Sequence, residues 1–442
     1  MSKRQQAWTG NGMFAPEREA MPRADLTALQ LVRLHKTLTR AYAQVPHFKT
    51  AFDGAGVTPD SLKSLDDLVR FPFTVKNDLR DNYPWGLFAV PRDEMVRVHA
   101  SSGTTGKPTV VGYTRHDLAV WSHLMARAQA AAGVGPGDVL HNALGYGLFT
   151  GGLGFHDGGQ TLGGVVVPIS GGNTERQVML LEDLGATALF STPSYALNIA
   201  ETAERLGVDL QSGPLRVAIL GAEPSTSAMQ DEVGQRLGLV PLDHYGLSEI
   251  LGPGVAAQCL EGRNGCHAWE DHFIFEIIDP ESEQRLAPGE KGELVITTLT
   301  KQALPMVRYR TRDITTLLDE PCPCGRSHVR IDRIAGRSDD MLIIRGVNVY
   351  PSQIEAFLVG LPDIEPHYQL VVRREGALDT LAVEVEARPG VGADEYPRLA
   401  QAAGHQIKTM VGVTCHVEVL EPGGLPRSEG KAVRVRDLRI GK

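Results

Sequence analysis

Ala186-Thr-Ala-Leu-Phe-Ser-Thr-Pro193 decides the fold class. Ala186–Phe190 is a short apolar run, and Ser191-Thr192-Pro193 reads as a helix cap with proline in the first turn. Ala196, Ile199, Ala200, Ala203 and Leu206 then recur at helical spacing. Upstream, Thr174–Leu184 carries a helical pattern that stops at Gly185. Downstream, Leu215–Leu220 is a second buried run that leads into Gly221-Ala222-Glu223-Pro224. This β–loop–α rhythm predicts an α/β fold, with a parallel or mixed sheet covered by helices. Ligands of such folds collect at the carboxyl ends of the strands.

Beyond Asp340 the rhythm changes. A helix is predicted over 351–359, strands near 369–374, over 381–387 and over 414–420, and a second helix over about 395–410. These form a small α+β unit. The short polar stretch Gly336-Arg337-Ser338-Asp339-Asp340 joins the two parts and suits a hinge. The expected division is therefore 1–335, a hinge at 336–340, and 341–442.

Composition narrows the function. The chain has 442 residues, with 44 Lys+Arg against 53 Asp+Glu and a formal net charge of −9. That balance argues against a nucleic-acid binder resting on a broad basic face. Met1–Arg23 lacks the apolar centre of a secretion signal, and no 18 apolar residues run together. A soluble cytoplasmic protein without membrane contact is expected. Five cysteines are too few for a disulfide scaffold.

Chemistry concentrates in loops. Ser101-Ser102-Gly103-Thr104-Thr105-Gly106-Lys107-Pro-Thr109 follows the strand-like 95–100 segment. Its small residues let successive N–H groups and hydroxyls cradle phosphate oxygens. Two residues separate its glycines, so it lacks the Gly-x4-Gly-Lys-Ser/Thr spacing of a kinase-type P-loop. Five further segments follow in order: Gly221–Pro224, His244-Tyr245-Gly246-Leu-Ser248-Glu249, Tyr309-Arg-Thr-Arg-Asp313, Gly336–Asp340 and Pro426-Arg-Ser-Glu-Gly-Lys431. Together with the Ser/Thr/Gly loop they resemble the core motifs of the AMP-forming adenylate superfamily. Within it, the chain looks most like the phenylacetate–CoA ligases. Phe71–Lys76, Asp81–Pro91, Ile169–Thr174 and Arg345–Pro351 carry the likeness along nearly the whole chain from about Met21.

The resemblance implies a two-step reaction. A carboxylate attacks the α-phosphate of ATP, giving an acyl-adenylate and pyrophosphate, and the thiol of coenzyme A then displaces AMP. Bringing two anions together demands fixed positive charge. By resemblance Lys431 supplies it, Glu249 sits on the magnesium side, Asp313 binds the ribose with Arg337 beside it, and Asp339 is the hinge. The resemblance also implies a homodimer. Leu144, Tyr146, Phe149 and Gly151 resemble the wall of the acyl pocket, whose glycines admit an aromatic ring. The family often has Tyr where this chain has Leu144. Phenylacetate is the first expectation, in aromatic-acid catabolism. A benzoate-, aminobenzoate- or indole-type acid, and loading of a carrier-protein phosphopantetheine thiol, are the alternatives.

Cys259, His267, Cys322 and Cys324 offer three thiolates and an imidazole, enough for a closed, structural zinc site. Cys266 is an alternative ligand to His267, and reduced buried thiols are the alternative to zinc. Cys415 is expected in the core of a strand.

Overall fold

The computed structural model describes residues 12–101, 108–344, 347–375 and 378–439. Five strands run parallel in the order Val165–Val167, Val139–Asn142, Ala188–Ser191, Val217–Leu220 and Val240–Leu247. Ala188–Ser191 and Val217–Leu220 are buried at every position, as strands covered on both faces must be. Antiparallel strands extend this sheet, so that twelve join in it among the described residues.

The helices begin and end on local chemistry. Thr192 Oγ1 accepts from Tyr195 N at 3.2 Å, Pro193 opens the helix Pro193–Leu206, and Gly207 closes it at φ +70°. Thr226 Oγ1 caps Ser227–Leu237 in the same way, by accepting from Met229 N at 3.2 Å. The chain passes from Val139–Asn142 to one neighbour, then crosses to Ala188–Ser191 on the other side. That reversal opens a crevice at the carboxyl ends of these two strands.

The small unit has its own core, with Ile344, Val349, Ile354, Leu370, Val383 and Ile407 fully buried. Its four-stranded sheet runs His416–Leu420, Leu378–Ala387, Ile364–Glu375 and Val435–Asp437. Two local expectations need correction. Cys415 precedes its strand by one residue and is half-buried rather than sealed in the core. The segment Tyr309–Asp313, expected to follow a strand or a turn, itself opens the strand Tyr309–Leu318. No helix among the described residues is long and apolar enough to cross a membrane.

Candidate active site

Five of the motif segments converge on the crevice. Ala222, in the turn after Val217–Leu220, sits at φ +69°, an uncommon conformation for a residue with a Cβ and a frequent mark of functional turns. A Cβ at Gly221 would fall 2.3 Å from the His244 ring, and one at Gly246 would fall 2.2 Å from Gly252 O. Both glycines are there for close approach of chain to chain. Tyr245 donates to Asp313 Oδ2 at 2.5 Å, and Arg337 Nη1 donates to Asp313 Oδ1 at 2.9 Å. Burial raises the Asp313 pKa, and the Arg337 charge opposes that rise. Arg337 also grips both oxygens of Asp339, at 2.9 and 3.0 Å.

Glu249 is buried beyond the end of Val240–Leu247, beside Ser248, whose hydroxyl pairs with Thr150 Oγ1 at 3.1 Å. Two lysines that sequence reasoning left without a role stand beside it. Lys76 Nζ is 4.0 Å from Glu249 Oε1, and Lys301 Nζ is 3.4 Å from Glu249 O. Burial pushes Lys301 down to about 8. Lys76 lies in a segment that carried the resemblance, but its pairing with Glu249 spans distant parts of the chain.

Lys431 enters the same crevice from the small unit. Its Nζ stands 5.4 Å from the centroid of the Phe149 ring. The side chain keeps exposed surface, yet enough protein surrounds it to lower its pKa, against the pull of Glu223 and Glu249. Tyr146 is half-buried, receiving a hydrogen bond from Asn142 Nδ2 at 2.8 Å and lying 3.2 Å from His156 Nδ1. Burial raises its hydroxyl to about 12. A Cβ on Gly151 would fall 2.4 Å from the Phe149 ring. Leu144 is buried within the main core. Ser101 closes the base of its loop, donating N–H to Thr109 O at 3.0 Å. Ser102, Gly103, Thr104, Thr105, Gly106 and Lys107 lie outside the described residues. The Glu223 carboxylate is taken by two backbone N–H groups, those of Ser194 and Ala432. Pro224 follows it in the same turn.

A carboxylate held by Tyr245 and Arg337, a buried acid flanked by ammonium groups and a lysine of the small unit share one crevice. The AMP-binding enzyme family matches residues 58–300, and the AMP-binding enzyme C-terminal domain matches residues 346–439. Phenylacetate-coenzyme A ligase of Thermus thermophilus is 53% identical over 443 residues, covering 97% of this chain and 100% of that one. The chain belongs to the phenylacetate–CoA ligase family of AMP-binding enzymes. The Escherichia coli phenylacetate-coenzyme A ligase is likewise 53% identical, over 94% of this chain and 95% of that one. Among solved structures, 2-hydroxyisobutyryl-CoA ligase in the postadenylation state superposes with TM-score 0.92 at 30% identity, over 99% of this chain and 95% of that one. The same ligase in its thioesterification state gives 0.72, at 32% identity over 96% and 92%. The whole chain, both parts together, thus superposes more closely on the postadenylation-state structure than on the thioesterification-state one.

Away from the crevice, the four candidate metal ligands of the sequence come together. The ligand atoms of Cys259, His267, Cys322 and Cys324 all lie within 4.8 Å of one another. Cys259 Sγ and Cys322 Sγ are 3.6 Å apart, and Cys324 Sγ is 3.2 Å from His267 Nε2. Thiolates at the usual ~2.3 Å from a tetrahedral zinc would stand ~3.8 Å apart, so the set fits that ion. Cys266 faces the other way, its thiol 3.6 Å from Asp243 O, because adjacent strand residues point to opposite faces. His267 is the member of the cluster.

Proposed function

We propose that the chain activates phenylacetate with ATP and transfers the acyl group to coenzyme A. The observation that carries this reading is Lys431 of the small unit standing in the crevice with Glu249 and Asp313. In the first step a carboxylate oxygen bonds to the α-phosphorus of ATP, and the bond to pyrophosphate breaks. The Lys431 ammonium offsets the charge gathering there, in a crevice where fixed charges act strongly. Asp313 accepts hydrogen bonds from the ribose hydroxyls, and Tyr245 and Arg337 fix its carboxylate. In the second step the thiol of coenzyme A gives its proton to solvent and its sulfur attacks the acyl carbon. The bond to AMP then breaks, leaving the thioester.

The aryl ring belongs against Tyr146 and Phe149, whose own rings pack close over Gly152 and Gly151. Rotation of the small unit about Asp339 would withdraw Lys431 between the steps. Lys76, 4.0 Å from Glu249, would bring a second positive charge to the phosphates.

Glu249 would hold magnesium, whose part when bound is to neutralise phosphate oxygens, and one carboxylate suffices for an ion that keeps phosphate and water ligands. The three cysteines and His267 would hold a structural zinc with no open position. Resemblance further implies a cytoplasmic homodimer, which light scattering on the purified protein checks for its assembly state. Thioester formation from a panel of aryl acids, with and without coenzyme A, tests the function. Phenylacetate should be the best acid and coenzyme A an obligatory acceptor. Turnover confined to a carrier-protein thiol, or a strong preference for a benzoate-type acid, would contradict it.

A further inference from the structure

The peptide groups on both sides of Lys431 are held by side chains of the large unit. Thr192 Oγ1 donates to Gly430 O at 2.8 Å, on the residue before it. The N–H of Ala432, on the residue after it, donates to Glu223 Oε2 at 2.8 Å. Both holders are themselves anchored. Glu223 Oε1 accepts from Ser194 N at 2.7 Å, in the first turn of the helix Pro193–Leu206. Thr192 Oγ1 caps that same helix. The left-handed turn at Ala222 precedes Glu223 directly.

A lysine is a point charge on four rotatable carbons, so its reach is decided by where its backbone is fixed. One restraint on the preceding carbonyl and one on the following amide fix both the position and the rotation of the Lys431 Cα. A misplacement of about 1 Å in a reacting group can cost roughly a hundredfold in rate. Both bonds join the large unit to the small one, so a rotation that withdraws Lys431 must break them. They can act in only one of the two half-reactions.

We propose that Thr192 and Glu223 are positioning residues for adenylation, docking the Lys431 backbone so that its ammonium reaches the α-phosphate. This rests on the reading of Lys431 as the adenylation lysine. It also gives Glu223 a different task from contact with the nucleotide.

The test uses the purified full-length enzyme, with phenylacetate-dependent ATP–pyrophosphate exchange for the first step. Thioester formation from supplied phenylacetyl-adenylate and coenzyme A reports the second. Glu223→Gln keeps the shape but can accept through one oxygen only. It should lower exchange kcat at least about tenfold with the KM for ATP within threefold. Thr192→Val should lower exchange similarly and leave thioester formation within about threefold, and Thr192→Ser should restore exchange. Loss of the helix cap alone would lower the thermal midpoint without separating the half-reactions. Unchanged exchange in both Glu223→Gln and Thr192→Val overturns the proposal. So does equal loss of both half-reactions in Thr192→Val, or a rise in the KM for ATP as the main effect of Glu223→Gln. Lys431→Ala is measured alongside. If it spares exchange, the lysine reading itself fails; if it abolishes exchange while Thr192→Val and Glu223→Gln do not, only the docking fails.

Discussion

Arg337 binds Asp313, its Nη1 donating to Oδ1 at 2.9 Å, while the rest of the same guanidinium clasps Asp339. One side chain thus links the proposed ribose ligand to the proposed hinge. Asp313 is buried, its pKa raised by desolvation and pulled back by the Arg337 charge. Only the ionised carboxylate accepts hydrogen bonds from both ribose hydroxyls, so kcat/KM for ATP should fall as pH drops through that pKa. Arg337→Ala removes the opposing charge and moves this acid limb to higher pH. It should also cost about 1.5–3 kcal/mol in kcat/KM for ATP, the usual worth of a hydrogen bond to a charged group. A pH–rate profile of the variant checks both effects. A limb that stays in place, or moves to lower pH, contradicts the assignment of Asp313.

The cysteine cluster should hold about one zinc per chain in purified protein, measured by elemental analysis. Gly262 is packed so close that an added Cβ would fall 2.4 Å from Cys322 Sγ. Gly262→Ala should therefore lower zinc content, and it should lower the thermal midpoint by several degrees, as partial loss of a structural metal does. Well under one zinc per chain in the parent protein would rule out the site and leave reduced thiols.

Gly151→Ala probes the aryl wall. Its Cβ would fall 2.4 Å from Cε1 of Phe149, so the ring must move, and with it the surface facing Lys431. The expected outcome is a rise of about tenfold in the KM for phenylacetate with little change for ATP, in line with the small energies of apolar fit. Steady-state kinetics with each substrate varied separately decides it. A rise in the KM for ATP alone would remove Phe149 from the acyl site.

The fold could be read because its signals are local. Thr192-Pro193 caps a helix where the sequence said it would, and the alternation over Leu381–Ala387 became part of a strand. The cysteine cluster was likewise legible from residue type, since few other arrangements bring three thiols and an imidazole together. The choice of His267 over Cys266 was not legible. It depends on strand phase, and only the sheet partners set that phase. Nor was the second task of Thr192, whose hydroxyl caps a helix and also holds Gly430 O, 238 positions away. Lys76 and Lys301 escaped notice for the same reason. No periodicity marks a lysine as the neighbour of a particular glutamate until the chain has folded.

The role proposed for Lys431 is in adenylation and in nothing after it. The most direct measurement follows the two half-reactions of Lys431→Ala separately, by ATP–pyrophosphate exchange and by conversion of supplied phenylacetyl-adenylate to the thioester. Exchange should fall by at least about a hundredfold, the range seen when a charge-stabilising donor is removed. Thioester formation should continue at close to the parent rate. Equal loss of both half-reactions, or exchange that survives, would contradict that role.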